Sequence, residues 1–157
     1  MSNQSTGFSD LVLRYERGVD YELTVRDRNA GATILALHGG TIEPLTAELA
    51  ELVAGDDWNL YAIRGLRAGT GAELRLPTLR LREFRCDALL DRSELALALD
   101  GCDAGDAALV GGRSERLVQA LLDHLQAAGL PASETNKPEV ERLALQCYNR
   151  AKHGGAQ

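Results

Sequence analysis

Cysteine is scarce in this sequence of 157 residues, and the few cysteines present form no pattern. Cys86, Cys102 and Cys147 lack the paired spacing of a zinc-binding motif and are too few for a disulfide framework. Free cysteine usually behaves as a small buried hydrophobe. We therefore interpret all three as core residues of a protein in a reducing, cytoplasmic setting.

Long apolar runs and an excess of basic residues are also absent. No run approaches the roughly 20 residues of a membrane-spanning helix, and residues 1–10 are polar, unlike a signal peptide. The formal net charge is −6, which disfavours a general nucleic-acid-binding surface. The sequence therefore predicts that the protein binds neither membranes nor nucleic acid.

No linker, repeat or low-complexity block divides the chain. Hydrophobic residues make up 45% and charged residues 25% of the sequence, which is usual for a globular protein. The length is sufficient for one domain with a proper core. We expect a single domain over residues 1–157, in which residues 1–10 and 152–157 are loose tails.

Segments typical of strands and of helices alternate along the chain. Short apolar or alternating runs predict strands, and apolar residues at helical spacing predict helices. Predicted strands are 21–26, 33–37, 59–63, 74–81, 94–99 and 107–110, predicted helices are 45–53, 87–92, 114–126 and 138–151, and predicted loops include 68–72 and 132–137. Such alternation predicts an α/β fold with three layers. In the first helix the spacing predicts a buried face formed by Leu45, Leu49, Leu52 and Val53.

The stretch from Thr33 to Pro44 combines a predicted strand with residues that bind cations. His38 follows the apolar run, two glycines follow His38, and Glu43 comes five residues after the histidine. Glycine permits a tight turn, and Pro44 suits the first position of a helix. The turn can thus bring Glu43 back beside His38 at the carboxyl edge of the sheet, where ligands commonly bind. Together the two side chains can bind a cation such as zinc; the alternative is a histidine that only hydrogen-bonds locally.

Three apolar runs end alike, in a polar residue followed by glycine. These polar residues are His38, Arg64 and Asp100. If the three strands are parallel neighbours, the polar residues meet at one edge of the sheet, together with Glu43. The pattern predicts a shared site, although three polar strand ends can also form a plain surface network.

The motif His38-Gly-Gly-Thr-Ile-Glu43-Pro, followed by Thr46-Ala-Glu-Leu-Ala50, resembles the opening motif of the poly-γ-glutamate hydrolase family, known also from phage-related proteins. Weaker similarities continue in the family's order, at 59–65, 98–103, 110–112 and 149–150. The resemblance implies a fold like that of zinc carboxypeptidases, with a mixed, mainly parallel sheet between helices. It also implies a protein that is cytoplasmic or released from a phage-infected bacterial host.

The resemblance also implies a site. His38 and Glu43 match two zinc ligands of the family, and Asp100 stands where the third ligand is a histidine. Aspartate can also bind zinc, but two carboxylates favour harder metals such as manganese or magnesium. Arg150, beside Asn149, matches an arginine that would bind a substrate carboxylate. The implied partner is an acidic polymer or a γ-glutamyl peptide, and Arg64 would add to its binding.

Other positions depart from the family pattern. Arg64 stands where the family tends to have glutamate, so an ion pair between Arg64 and Asp100 is expected. Arg75 and Arg80 replace two histidines, and they form either part of an anion-binding groove or the solvated face of an edge strand. The family's expected general base, a glutamate in a strand after the Asn-Arg motif, has no counterpart before Gln157.

Two functions are therefore open at the level of the sequence. The first is a metal-dependent hydrolase of γ-glutamyl peptide bonds. The second is a catalytically degenerate derivative that binds an acidic polymer, a small anion or a protein partner at the same edge. Because the third histidine and the C-terminal glutamate are both missing, we expect hydrolysis to be weak or absent.

Overall fold

The computed structural model describes residues 7–76, 82–102 and 105–135, together with the backbone of 155–156. Twelve elements lie in this part of the chain. The strands are β1 (Tyr21–Arg26), β2 (Ala32–Gly40), β3 (Asn59–Gly65), β4 (Leu95–Ala98), β5 (Ala108–Val110), β6 (Ala132–Glu134) and β7 (Gly155–Ala156). The helices are α1 (Phe8–Arg14), α2 (Thr46–Ala54), α3 (Gly71–Leu74), α4 (Phe84–Arg92) and α5 (Glu115–Ala127).

A five-stranded sheet with the order β1-β3-β2-β4-β7 forms the centre of the structure. Strand β2 pairs in parallel with β3 and β4, and β4 pairs in parallel with β7, whereas β1 runs antiparallel to β3. The sheet is therefore mixed and mainly parallel, as predicted. The carboxyl ends of β2, β3 and β4 lie at one edge.

Helices cover both faces of this sheet. On one face, alternate residues of β2 and β3 pack against the alanines of α2; this cluster contains Ile34, Ala36, Ala47, Ala50, Ala54, Leu60 and Ala62. On the other face, the intervening strand residues pack against α1, α4 and the end of α3; this cluster includes Leu11, Leu35, Leu37, Tyr61, Ile63, Leu74, Leu76, Leu89 and Leu90. The period-two alternation of the strands thus explains the predicted three layers, which are confirmed.

Strands β5 and β6 form a separate two-stranded parallel sheet that packs against α5. The Ser114 side chain caps α5 by accepting a hydrogen bond from the Leu117 backbone N–H, as predicted. The core of this unit consists of Val110, Val118 and Leu122, against which Leu97 of the main sheet also packs. The predicted loop at 132–137 is wrong for its first three residues, since these form β6.

Helix α2 buries the face opposite to the predicted one. Its buried residues are Thr46, Ala47, Ala50 and Ala54, whereas the exposed fractions of Leu45 and Leu52 are 74% and 81%, and Leu49 and Val53 are exposed too. The reason is a close approach, because a Cβ atom on Gly39 would overlap the methyl group of Ala47. Only small side chains fit between the helix and the sheet. The helix also begins at Thr46, so Pro44 does not take the predicted first helical position.

Several other expectations need correction. Residues 1–10 are not all loose, since α1 begins at Phe8 and buries Leu11, and the tail 152–157 contributes β7. Helix α3 (Gly71–Leu74) makes the predicted loop at 68–72 wrong for its last two residues. The predicted strand at 74–81 is wrong for residues 74–76, which belong to α3 or to no strand, and 77–81 lie outside the described residues. Cys86 is buried as predicted, whereas Cys102 is exposed. Cys147 and the predicted helix 138–151, with Asn149 and Arg150, also lie outside the described residues.

No helix within the described ranges combines the length and apolar character needed to cross a membrane.

Candidate metal site at the carboxyl edge of the sheet

His38 lies near the end of β2 and is almost fully buried, with 3% of its surface exposed. The register between β2 and β3 shifts between Ala36 and Gly39, so that Leu37 and His38 lie opposite the single residue Ile63. Bulges of this kind change the direction of a side chain and are common beside functional sites. The imidazole Nε2 lies 2.9 Å from the carbonyl oxygen of Leu76, in the layer that contains α1 and α4.

Glu43 is brought back beside His38 by the turn after β2. Thr41 donates its backbone N–H to the Gly65 carbonyl at 3.0 Å, and the Thr46 hydroxyl donates to the Glu43 carbonyl at 3.0 Å. The Glu43 side chain is buried, and its Oε1 lies 3.7 Å from His38 Nδ1. The predicted placement of the two side chains is therefore what the structure shows.

Two glycines allow the close backbone contacts around Glu43. Gly40 has a φ of 66°, which disfavours residues with a Cβ, and a Cβ at this position would overlap the carbonyl oxygen of Gly65. Gly101 follows Asp100 and donates its backbone N–H to Glu43 Oε2 at 2.6 Å. A Cβ on Gly101 would lie 3.3 Å from that oxygen. Gly40 thus allows the turn to approach β3 closely, and Gly101 allows the backbone after β4 to approach the Glu43 carboxylate.

Asp100 completes a cluster of three side chains. Its Oδ1 lies 3.1 Å from His38 Nδ1, and one ligand atom from each of His38, Glu43 and Asp100 lies within 4.8 Å of the other two. Parallel pairing of β2 with β4 brings the ends of these strands together. The predicted convergence at one edge therefore holds for His38, Glu43 and Asp100.

Both ring nitrogens of His38 face oxygen acceptors. A neutral imidazole has only one N–H. When that N–H is on Nε2, it donates to the Leu76 carbonyl. Nδ1 then presents its lone pair to the carboxylates of Asp100 and Glu43. This arrangement favours a positive charge beside Nδ1, which is either a second proton on the ring or a cation bound between Nδ1 and the two carboxylates.

The pKa of His38 reflects the same environment. Burial lowers the pKa, but the hydrogen bond and the negative charge of Asp100 raise it, and the Leu76 carbonyl and Glu43 add to the increase. The net effect places the pKa of His38 above its ordinary value. Without a metal, the site therefore stabilises the imidazolium form relative to that of an ordinary histidine.

Arg64 does not join this cluster. Its guanidinium contacts Glu51 at 2.9 Å and Glu48 at 3.5 Å, both on α2. The expected ion pair between Arg64 and Asp100 is thus wrong. Arg64 lies opposite Gly39 in the register of the two strands, and the missing side chain of Gly39 leaves space for Arg64 to extend over the α2 face.

Arg75 joins the site through Glu43, and not as part of a strand. It follows α3 directly, and its Nη2 contacts Glu43 Oε1, the same oxygen that faces His38. The predicted strand at 74–81 would have placed Arg75 on an edge or in a groove. A signal was present in the sequence, because Arg75 stands where the resembling family has a histidine.

Two curated proteins of Bacillus subtilis (strain 168) are similar to this chain. UPF0714 protein YndL is 28% identical over 114 residues, covering 72% of this chain and 45% of that protein. SPbeta prophage-derived UPF0714 protein YoqZ is 29% identical over 130 residues, covering 82% of this chain and 46% of that protein. The chain thus spans less than half the length of either relative.

Two solved structures share the fold. A bacteriophage poly-gamma-glutamate hydrolase matches with a TM-score of 0.89 at 23% identity, covering 100% of this chain and 77% of that one. Zinc-free YndL matches with a TM-score of 0.86 at 24% identity, covering 100% and 78%. These matches confirm the expected zinc carboxypeptidase-like fold, with its mixed sheet flanked by helices. The model of the poly-gamma-glutamate hydrolase family matches residues 6–156, and the chain therefore belongs to that family.

Proposed function

We propose that this protein is a metal-dependent hydrolase of γ-glutamyl peptide bonds, with His38, Glu43 and Asp100 as the metal ligands. The observation that carries the proposal is the position of His38 Nδ1, which lies 3.1 Å from Asp100 and 3.7 Å from Glu43 while Nε2 meets the Leu76 carbonyl. An imidazole lone pair on Nδ1 with two largely buried carboxylates beside it is a ligand set that suits a divalent cation.

The surrounding residues fit this role. Histidine ligands usually donate their second N–H to a carbonyl or carboxylate, which fixes the ring for the metal; the Leu76 carbonyl occupies that position. The Gly101 N–H holds Glu43 Oε2, so that Oε1 remains directed towards His38. One nitrogen and two carboxylate oxygens suit zinc, with manganese or magnesium as alternatives.

A bound divalent ion would act as a Lewis acid on the carbonyl of the scissile bond. The protein contributes the placement of the ion, since the ligands come from β2, the turn after β2 and the segment directly after β4. A γ-glutamyl polymer carries one carboxylate per unit, so arginines near the site suit it as a substrate. Arg75 lies at the site; Arg64, Asn149 and Arg150 stay predictions as substrate-binding residues.

The proposal is tested by following the chain length of poly-γ-glutamate over time with added zinc or manganese. We expect slow, metal-dependent cleavage that disappears in His38→Ala. The matched control is His124→Ala, which removes an exposed histidine of α5 and should cleave like the wild type. Equal cleavage by His38→Ala and the wild type would refute the proposed site.

A second candidate function is binding of the acidic polymer without cleavage. The observation in its favour is Arg75, because a guanidinium on Glu43 opposes the binding of a metal there. In the same assay this function predicts intact polymer that nevertheless binds the protein and is released as the salt concentration rises.

A further inference from the structure

We propose that Arg75 and the divalent cation compete for Glu43, and that metal binding releases the Arg75 guanidinium to bind a carboxylate of the γ-glutamyl ligand. This inference rests on the proposed metal site. It adds that metal binding and ligand binding are coupled through Arg75.

The competition follows from which oxygen of Glu43 each partner uses. Oε2 accepts the Gly101 N–H at 2.6 Å. Oε1 lies 3.7 Å from His38 Nδ1, so it is the oxygen that a metal shared with His38 would bind. Arg75 Nη2 contacts that same Oε1. A guanidinium and a divalent cation on one oxygen repel each other, so the binding of one weakens the binding of the other.

Arg75 is the partner that can leave without unfolding the site. Nearly half of its side chain, 48%, is exposed, whereas only 7% of the Glu43 side chain is. Its backbone is held in place, since the Arg75 N–H donates to the Gly71 carbonyl at 3.1 Å and the next residue, Leu76, holds His38. Rotation of the side chain alone therefore moves the guanidinium from Glu43 into solvent.

The released guanidinium remains tethered at the rim of the metal site. Its planar fork binds carboxylates with two parallel hydrogen bonds, and a γ-glutamyl chain offers a carboxylate on each unit. In the metal-free protein the Arg75 guanidinium is paired with Glu43. A ligand carboxylate must therefore compete with the Glu43 carboxylate for this guanidinium. Metal should therefore strengthen ligand binding, and by thermodynamic reciprocity the ligand should strengthen metal binding by the same factor.

The first arm of the test measures zinc affinity by competition with a chromophoric chelator. We expect Arg75→Gln to bind zinc about tenfold more tightly than the wild type, equivalent to about 1.4 kcal/mol. Arg75→Lys keeps the charge and should bind zinc much like the wild type. The control is Arg92→Gln, which removes the arginine of an exposed ion pair with Asp27 and should leave the affinity unchanged. Equal or weaker zinc binding by Arg75→Gln would overturn the inference.

The second arm measures binding of a short γ-glutamyl peptide with and without zinc, by calorimetry at constant salt. In the wild type and in Arg92→Gln, zinc should increase peptide affinity several-fold; in Arg75→Gln this increase should largely vanish. The same increase in Arg75→Gln would contradict the role of the released guanidinium. If neither the wild type nor any variant binds zinc, the proposed metal site is refuted. If zinc binds but its affinity is the same with and without Arg75, only the present inference is refuted.

Discussion

His38 is the residue in which the chemistry of the site is concentrated. Its Nε2 and Nδ1 both lie within hydrogen-bond distance of oxygen atoms in a nearly buried setting, which favours a positive charge on the ring or beside it. Without metal, the proton supplies that charge, and the pKa of His38 is raised as a result. With metal, the proton must leave Nδ1, so metal binding is coupled to pH.

The raised pKa predicts how the stability of the metal-free protein depends on pH. A folded-state pKa above the unfolded value stabilises the fold fully below the unfolded pKa, about 6.5 for histidine, and this contribution is lost as the pH rises through the folded pKa. We therefore expect the difference in the free energy of unfolding between the wild type and His38→Gln to shrink as the pH rises from the unfolded pKa through the folded pKa. Urea unfolding in the presence of a chelator measures it.

The matched control for this prediction is His124→Gln on α5. This variant also lacks one histidine, but its pH dependence should follow that of the wild type. A difference between the wild type and His38→Gln that stays constant or grows with rising pH would contradict the account of His38.

Substitution of Arg64 is expected to have a smaller effect than substitution of His38. Its contacts with Glu48 and Glu51 are partly exposed ion pairs on the α2 face. Ion pairs at exposed positions typically contribute about 0.2–1 kcal/mol. Arg64→Gln should therefore reduce the free energy of unfolding by no more than about that amount, and zinc affinity should change little. Chelator competition and urea unfolding measure both quantities. A large change in zinc affinity would show that Arg64 belongs to the metal site after all.

At the level of elements, the contact between α2 and β2 holds the turn that carries Glu43. The helix lies so close to the strand that Gly39 faces the methyl group of Ala47. Thr46, the first residue of α2, also donates its hydroxyl to the Glu43 carbonyl. A change in the spacing between helix and strand is therefore transmitted directly to the carboxylate.

Gly39→Ala tests this contact. The φ of Gly39 is not positive, so the effect is steric: the new methyl group must push α2 away, at a cost of about 1–3 kcal/mol for an overpacked core. Zinc affinity should fall as well. The control is Gly31→Ala, where the added Cβ would meet only the Glu94 side chain at 3.9 Å. Equal stability of Gly39→Ala and Gly31→Ala in urea unfolding would contradict the close approach.

The elements also show where sequence patterns predict structure well. Strands β2, β3 and β4 carry apolar runs that end in a polar residue and glycine, and these patterns identified them near their observed bounds. The sequence pattern predicted helix α2 but not which of its faces is buried. Hydrophobicity favours leucine over alanine for the core, whereas the space beside Gly39 admits only alanine, and that space depends on tertiary packing.

At the level of the whole molecule, the order of the strands assembles the site. Strand β2 lies between β3 and β4, so that the carboxyl ends of β2 and β4 bring His38 and Asp100 together. The strand-end pattern and the family resemblance were sufficient to predict this part. The bulge at His38 and the contact of Arg75 with Glu43 were not predictable, since one depends on strand register and the other on the α3 segment folding over the sheet edge.

The central claim is that His38, Glu43 and Asp100 together hold one divalent cation. Its most direct test is equilibrium dialysis of the wild type, His38→Ala and the control His124→Ala against zinc, followed by metal analysis. The account predicts about one zinc ion per chain for the wild type and His124→Ala, as suits a single three-ligand site, and a clear loss of zinc for His38→Ala. Equal zinc content in all three proteins would contradict the claim.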